Sequence, residues 1–330
     1  MSERLLEAKG LRTTFYTERG TFDAVDGIDF HIDKGETLGV VGESGCGKTV
    51  TALSLLRLVS YPPGRITAGE VWFEGEDLMK KTEAQMRAIR GDKISMIFQE
   101  PMTSINPLFT VGQQIGETLK IHRKMGKAEA RERSIELVKL VGIPRPEKIV
   151  DDYPHQLSGG MRQRVMIAIA LACGPGLLIA DEPTTALDVS IQAQILDLMR
   201  ELKDKIETSI MMITHALGVI AEVADRVVVM YAGQIVENSP VRDLFKNPLH
   251  PYTEGLLKSV PRVDGKVGHI VPIKGMVPDL VDPPSGCRFS PRCVYRKEVC
   301  SAAAPGLVSA GGGREVRCLR YRPEIYRSGS

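Results

Sequence analysis

Eight consecutive residues, Gly42-Glu43-Ser44-Gly45-Cys46-Gly47-Lys48-Thr49, fit the pattern G-x-x-x-x-G-K-[ST]. Glycines at these places let backbone N–H groups of Ser44, Gly45, Cys46 and Gly47 wrap phosphate oxygens, and the dipole of a following helix adds attraction. Lys48 would reach the outer phosphates, and Thr49 would offer a hydroxyl to Mg²⁺. Cys46 is read as a filler of this loop. A second pair, Asp181-Glu182, ends the apolar run Leu177-Leu178-Ile179-Ala180. Carboxylates at the carboxyl edge of a parallel sheet lie where such sheets bind ligands. Asp181 would hold Mg²⁺ through water and Glu182 would polarise the attacking water, since phosphoryl transfer to water needs an oriented nucleophile more than covalent chemistry.

Four thiols form a third constellation: Cys287, Cys293, Cys300 and Cys318, separated by five, six and seventeen residues. Four thiolates suit tetrahedral Zn²⁺ or an iron–sulfur cluster, and this spacing decides between neither. The Arg288, Arg292, Arg296 and Lys297 side chains interleave with them and are read as a solvated basic face or as an offset to thiolate charge.

The elements that must position these groups follow from pattern. Thr37 to Val41 reads as a short buried strand leading through the Gly-rich turn into a helix from about Lys48. GLLIADEP reads as a second strand, followed by a helix from about Asp188 to Lys205; SIMMITH is a third, followed by another short helix. Strand and helix alternate, which predicts a mostly parallel sheet in an α/β fold. Lys127 to Gly142 carries the apolar spacing of an amphipathic helix. From Ser239 onward NPLHPYTEG, PPSG and AGGG mark a composition shift, so the chain divides into residues 1–238 and a loop-rich extension, 239–330.

The motifs together resemble the nucleotide-binding subunits of ABC transporters. Leu157-Ser158-Gly159-Gly160-Met161-Arg162-Gln163 is similar to their LSGGQ-type signature, with Met in the fifth place. The resemblance implies a P-loop NTPase fold with a helical signature subdomain over about 100–165. It implies that ATP is sandwiched between two such subunits, with Ser158, Gly159 and Gly160 facing the ATP held by the partner. Gln99 resembles the Q-loop glutamine, completing the Mg²⁺ and water site. Thr185-Ala186-Leu187-Asp188 resembles the D-loop, and His215 the switch histidine that contacts the γ-phosphate. Phe15 stands where an adenine-stacking aromatic is expected, with Tyr16 competing. The family usually has Asp where this chain has Ala216.

NPLHPYTEGLL, VPDL and PPSGCRFSPRC, with EPMTSINPLFTVGQQ after Gln99, resemble the ATPase subunits of dipeptide and oligopeptide importers. That branch implies a [4Fe–4S] cluster on the four cysteines, a structural staple for an extension with little apolar sequence of its own. It further implies a second ATPase subunit, a paralogue by resemblance, two transmembrane permease subunits, and a peptide-binding protein acting indirectly. Importers of nickel or another small solute share this cassette, and a soluble ABC ATPase acting on nucleic acid is the alternative from another class.

Bulk properties set the limits. The chain has 330 residues, 43% hydrophobic and 25% charged, with a formal net charge of +2, which gives no field favouring nucleic acid. No apolar run reaches the roughly 18–20 residues of a spanning helix. The amino-terminal residues lack a secretory apolar core. These features predict a cytosolic protein, and the resemblance implies a place on the cytoplasmic face of the membrane, held there by its partners.

Overall fold

The computed structural model describes residues 3–99, 104–185, 188–259 and 272–326. Among them twelve strands follow in chain order: β1 Arg4–Thr17, β2 Gly20–Asp33, β3 Thr37–Val41, β4 Gly64–Phe73, β5 Glu76–Asp77, β6 Ile94–Ile97, β7 Leu177–Asp181, β8 Ser209–Ile213, β9 Arg226–Tyr231, β10 Gln234–Pro240, β11 Val308–Gly311 and β12 Arg314–Val316. The chain forms two compact units. One consists of Met1–Leu5, Ile32–Gly35 and Lys80–Ile213, the other of Leu6–His31, Glu36–Met79 and Thr214–Ser330.

In the first unit β6, β7 and β8 pair in parallel, with Ile94 opposite Leu177 and Leu177 opposite Ser209. Every residue of β7 and β8 is buried, as parallel strands covered on both faces require. The helices of this unit start on sequence-encoded caps. Thr110 and Gln113 make a reciprocal capping box for Val111–Arg123, and Asp188 accepts from the Ile191 N–H at the head of Val189–Ile206. Helix Lys127–Leu140 buries Ala130, Ser134, Leu137 and Val138 along one face, while Ile135 and Leu140 are only partly buried.

In the second unit β3 pairs in parallel with β9. β9 turns antiparallel into β10 through Ala232 and Gly233, both with positive φ (47° and 81°), as a two-residue hairpin turn matched to strand twist requires. The carboxy-terminal strands extend the same sheet: β12 lies antiparallel on β10, with Val316 opposite Glu237, and β11 on β12. An antiparallel sheet of order β2-β1-β4-β5 completes the unit. Residues after 238 therefore share a unit with the Gly-rich loop.

Candidate nucleotide site

In the second unit the five buried residues of β3 deliver the chain to Gly42. A Cβ there would strike the Met230 carbonyl and lie 2.6 Å from the Cys46 sulfur. Gly47 has φ +104° and caps helix Lys48–Leu55; a side chain on it would strike the Ala24 carbonyl. Both positions are thus closed to anything larger than glycine. Lys48 is buried, and its Nζ donates to the Gly42 carbonyl at 2.8 Å and the Glu43 carbonyl at 3.1 Å, arching over the loop. Ser44, Gly45 and Thr49 are exposed, open to a ligand. Cys46 is packed inside, where burial pushes its thiol above the ordinary range despite the nearby Lys48.

Glu43 gathers contacts from far along the chain. Its N–H donates to the Tyr252 hydroxyl at 2.8 Å, and its carboxylate accepts both arms of Arg292, at 2.6 and 3.0 Å. Sequence reading weighed Arg292 only as a charge among the thiols and did not single out Tyr252. Nothing in the spacing of residues 249 positions apart signals such a pair.

His215 is exposed just beyond β8, and the Thr214 N–H beside it donates to the Val40 carbonyl at 3.2 Å. The next residue, Ala216, is the N-cap of helix Leu217–Val223 and supplies no side-chain cap. The Thr214 hydroxyl instead accepts from the Ala216 N–H at 3.0 Å. Phe15 is half-buried and stacked on Phe22 with centroids 5.6 Å apart, whereas Tyr16 is exposed.

In the first unit β7 ends on Asp181, only 1% exposed. Glu182 follows with φ +47°, a left-handed conformation that costs on the order of 1–3 kcal/mol for a non-glycine residue and collects at functional sites. Its Oε2 accepts from Gln99 Nε2 at 3.1 Å and from the Thr185 hydroxyl at 2.8 Å, and its N–H donates to the Ile213 carbonyl at 2.8 Å. The structure thus brings Gln99, Glu182 and Thr185 together. Glu100 and Pro101 to Thr103, with Ala186 and Leu187 of the expected D-loop, lie outside the described residues.

Ser158 caps helix Gly159–Leu171, its Oγ accepting from the Met161 N–H at 3.3 Å. Ser158 and Gly159 are exposed. This is the start of a 13-residue helix, and the first N–H groups of a helix have no partner within it, which suits anions.

The family model described as "ABC transporter" matches residues 25–185, and that described as "Oligopeptide/dipeptide transporter, C-terminal region" matches 236–300. The oligopeptide transport ATP-binding protein AppD of Bacillus subtilis (strain 168) is 56% identical over 97% of this chain and 98% of its own length. The dipeptide transport ATP-binding protein DppD of the same organism is 50% identical over 96% and 94%. The chain belongs to the ABC transporter family, in the oligopeptide/dipeptide branch. Its cassette fold is shared with the dimeric post-hydrolysis structure of the ATP-binding cassette MJ0796 bound to ADP and Pi. That likeness has a TM-score of 0.65 and 27% identity, covering 72% of this chain and 99% of that one. The cassette of this chain is an ABC-type ATPase.

One expectation from the branch does not stand. The four cysteines were expected to hold a [4Fe–4S] cluster, yet among the described residues no group of three or more His, Cys, Asp or Glu side chains is arranged to hold a metal ion. Cys287, Cys293, Cys300 and Cys318 do line one small pocket, together with His250, Phe289 and Tyr295. The extension is fastened by other means. β12 pairs with β10, Arg317 donates to the Ile235 and Pro305 carbonyls, and Arg288 donates to the Asp26 carboxylate at 2.6 Å. Strand pairing and these arginine contacts hold the Pro- and Gly-rich segment in place.

Proposed function

We propose that this chain is the ATP-hydrolysing subunit that energises import of dipeptides or oligopeptides across the cytoplasmic membrane. The names of its relatives and the match of the carboxy-terminal region support that substrate class. No helix among the described residues is long and apolar enough to cross a membrane, in keeping with a peripheral subunit on the cytoplasmic face that works on two permease subunits. A second cassette, a paralogue by resemblance, completes the pair. ATP bridging two cassettes favours the closed state, ADP with phosphate does not, and that difference in affinity drives the motion.

In this reading Lys48 leaves the Gly42 and Glu43 carbonyls for the outer phosphates while the loop N–H groups hold the others. Gln99 and Thr185 hold Glu182 through its Oε2, and in this reading the carboxylate takes a proton from the attacking water. His215 meets the γ-phosphate, and Ser158, Gly159 and Gly160 receive the partner's ATP. The donors offered by Thr49, Gln99 and Asp181 are all oxygens, the set Mg²⁺ takes, and the ion when bound would offset charge on the phosphates. The observation that carries the proposal is the aimed carboxylate of Glu182, held at a left-handed backbone position by two side chains. Glu182→Gln should lower kcat about 10²–10³-fold while ATP binding persists and a closed dimer accumulates in size-exclusion chromatography. Undiminished turnover would remove Glu182 from this role.

A further inference from the structure

Glu43, the second residue of the phosphate loop, is held from three sides. Tyr252 accepts its N–H at 2.8 Å, Lys48 donates to its carbonyl at 3.1 Å, and Arg292 grips its carboxylate in a fork at 2.6 and 3.0 Å. The Arg292 side chain is 4% exposed, with Nε on the Lys274 carbonyl at 3.1 Å and its guanidinium 5.7 Å from the Tyr231 ring centroid. Behind it Tyr231, Tyr252 and Phe289 pack with centroids 4.6 to 5.5 Å apart, which fixes the ring of Tyr252.

We propose that Arg292 of the carboxy-terminal extension, assisted by Tyr252, is a positioning residue for ATP. The proposal rests on residues 42–49 being the phosphate loop. Two physical effects converge on Glu43. A loop with glycines at 42, 45 and 47 loses much conformational entropy on closing round a ligand, and fixing Glu43 beforehand lowers that cost. A carboxylate in a phosphate-binding loop also repels the polyphosphate, and the buried fork both offsets that charge and draws it away. The extension therefore acts on the affinity of the loop for ATP and leaves the chemical step to Glu182.

The test uses the full chain, with MgATP binding measured by calorimetry beside steady-state turnover. Arg292→Ala should raise Kd and KM for ATP about tenfold with kcat within about twofold, and Arg292→Lys, which keeps the charge but loses the fork, about threefold. In a Glu43→Gln background Arg292→Ala should weaken ATP binding less than about twofold, because the two residues act as one unit. Glu315→Gln, which takes the charge from the acceptor of the 2.8 Å hydrogen bond donated by Asn238, away from Glu43, should leave Kd unchanged. An unchanged ATP Kd in Arg292→Ala, a loss no larger than that of Glu315→Gln, or additivity with Glu43→Gln would each overturn the proposal. Should Arg292→Ala not fold, the cycle of Arg292→Lys with Glu43→Gln decides by the same criterion. Lys48→Ala separates the two levels: retained ATP affinity there would sink the phosphate-loop reading itself, whereas its loss beside a normal Arg292→Ala sinks only the positioning role.

Discussion

The phosphate loop of one unit is locked by backbone carbonyls, two closed glycine positions and groups from the far end of the chain. Glu182 of the other unit is held by Gln99 and Thr185, both exposed. On the proposed function the loop would present a fixed cradle before ATP arrives, and burial supplies that. The carboxylate would respond to its surroundings during a cycle, and side-chain hydrogen bonds at exposed positions can be made and broken at a net cost of about 1 kcal/mol each. Affinity and turnover would then be entrusted to different kinds of structure.

The comparison breaks most visibly at Gly47. Gly47→Ala forces a Cβ against the Ala24 carbonyl at φ +104°, and ATP affinity should fall about a hundredfold or more, read by calorimetry; retained affinity would mean that the cradle is not rigid. A smaller effect is expected on the other side. Thr185→Val removes the 2.8 Å bond to Glu182 and should lower kcat about five- to tenfold with ATP Kd unmoved, checked by steady-state kinetics beside binding.

A third effect, on stability, concerns the buried support behind the loop. His250 is 2% exposed, and burial, with Arg317 and Arg320 nearby, lowers its pKa from 6.5 to about 3. Between those values the unfolded chain binds a proton that the folded chain refuses, so stability falls as pH drops below about 6.5, by up to about 1.4 kcal/mol per pH unit. Denaturant unfolding at stepped pH should show that slope in the wild type and a shallower one in His250→Gln.

What the sequence made legible was contiguous. Gly42 to Thr49 carries its chemistry in eight neighbouring letters, and β7 with its terminal carboxylates is a short apolar run ending in charge. The role of Glu43 was hidden because its partner is 249 positions away and a lone Arg carries no mark of its mate. The cysteines misled for a related reason: spacing counts ligands, but only the fold arranges them, and among the described residues no three such groups are arranged to hold a metal ion. The division after residue 238 followed a real change in composition, yet Glu237 and Asn238 pair with Val316 and Glu315, and a sheet register is written in neither segment alone. Phe15 and Tyr16 are neighbours of one type, and only packing distinguishes the ring stacked on Phe22 from the exposed one.

The pairing of β12 on β10 also protects the molecule from itself. A strand left at the margin of a sheet presents unpaired N–H and C=O groups to any other chain and invites aggregation. The extension caps that margin with two short strands, the outermost only four residues long; its last residue, Gly311, and the two that follow, Gly312 and Gly313, all have positive φ, a poor template for further growth. A chain cut after residue 300, where the family match ends, would strip this cover and remove Arg314 from the fully buried Glu237. For anyone shortening the protein, the last strands are a boundary to respect.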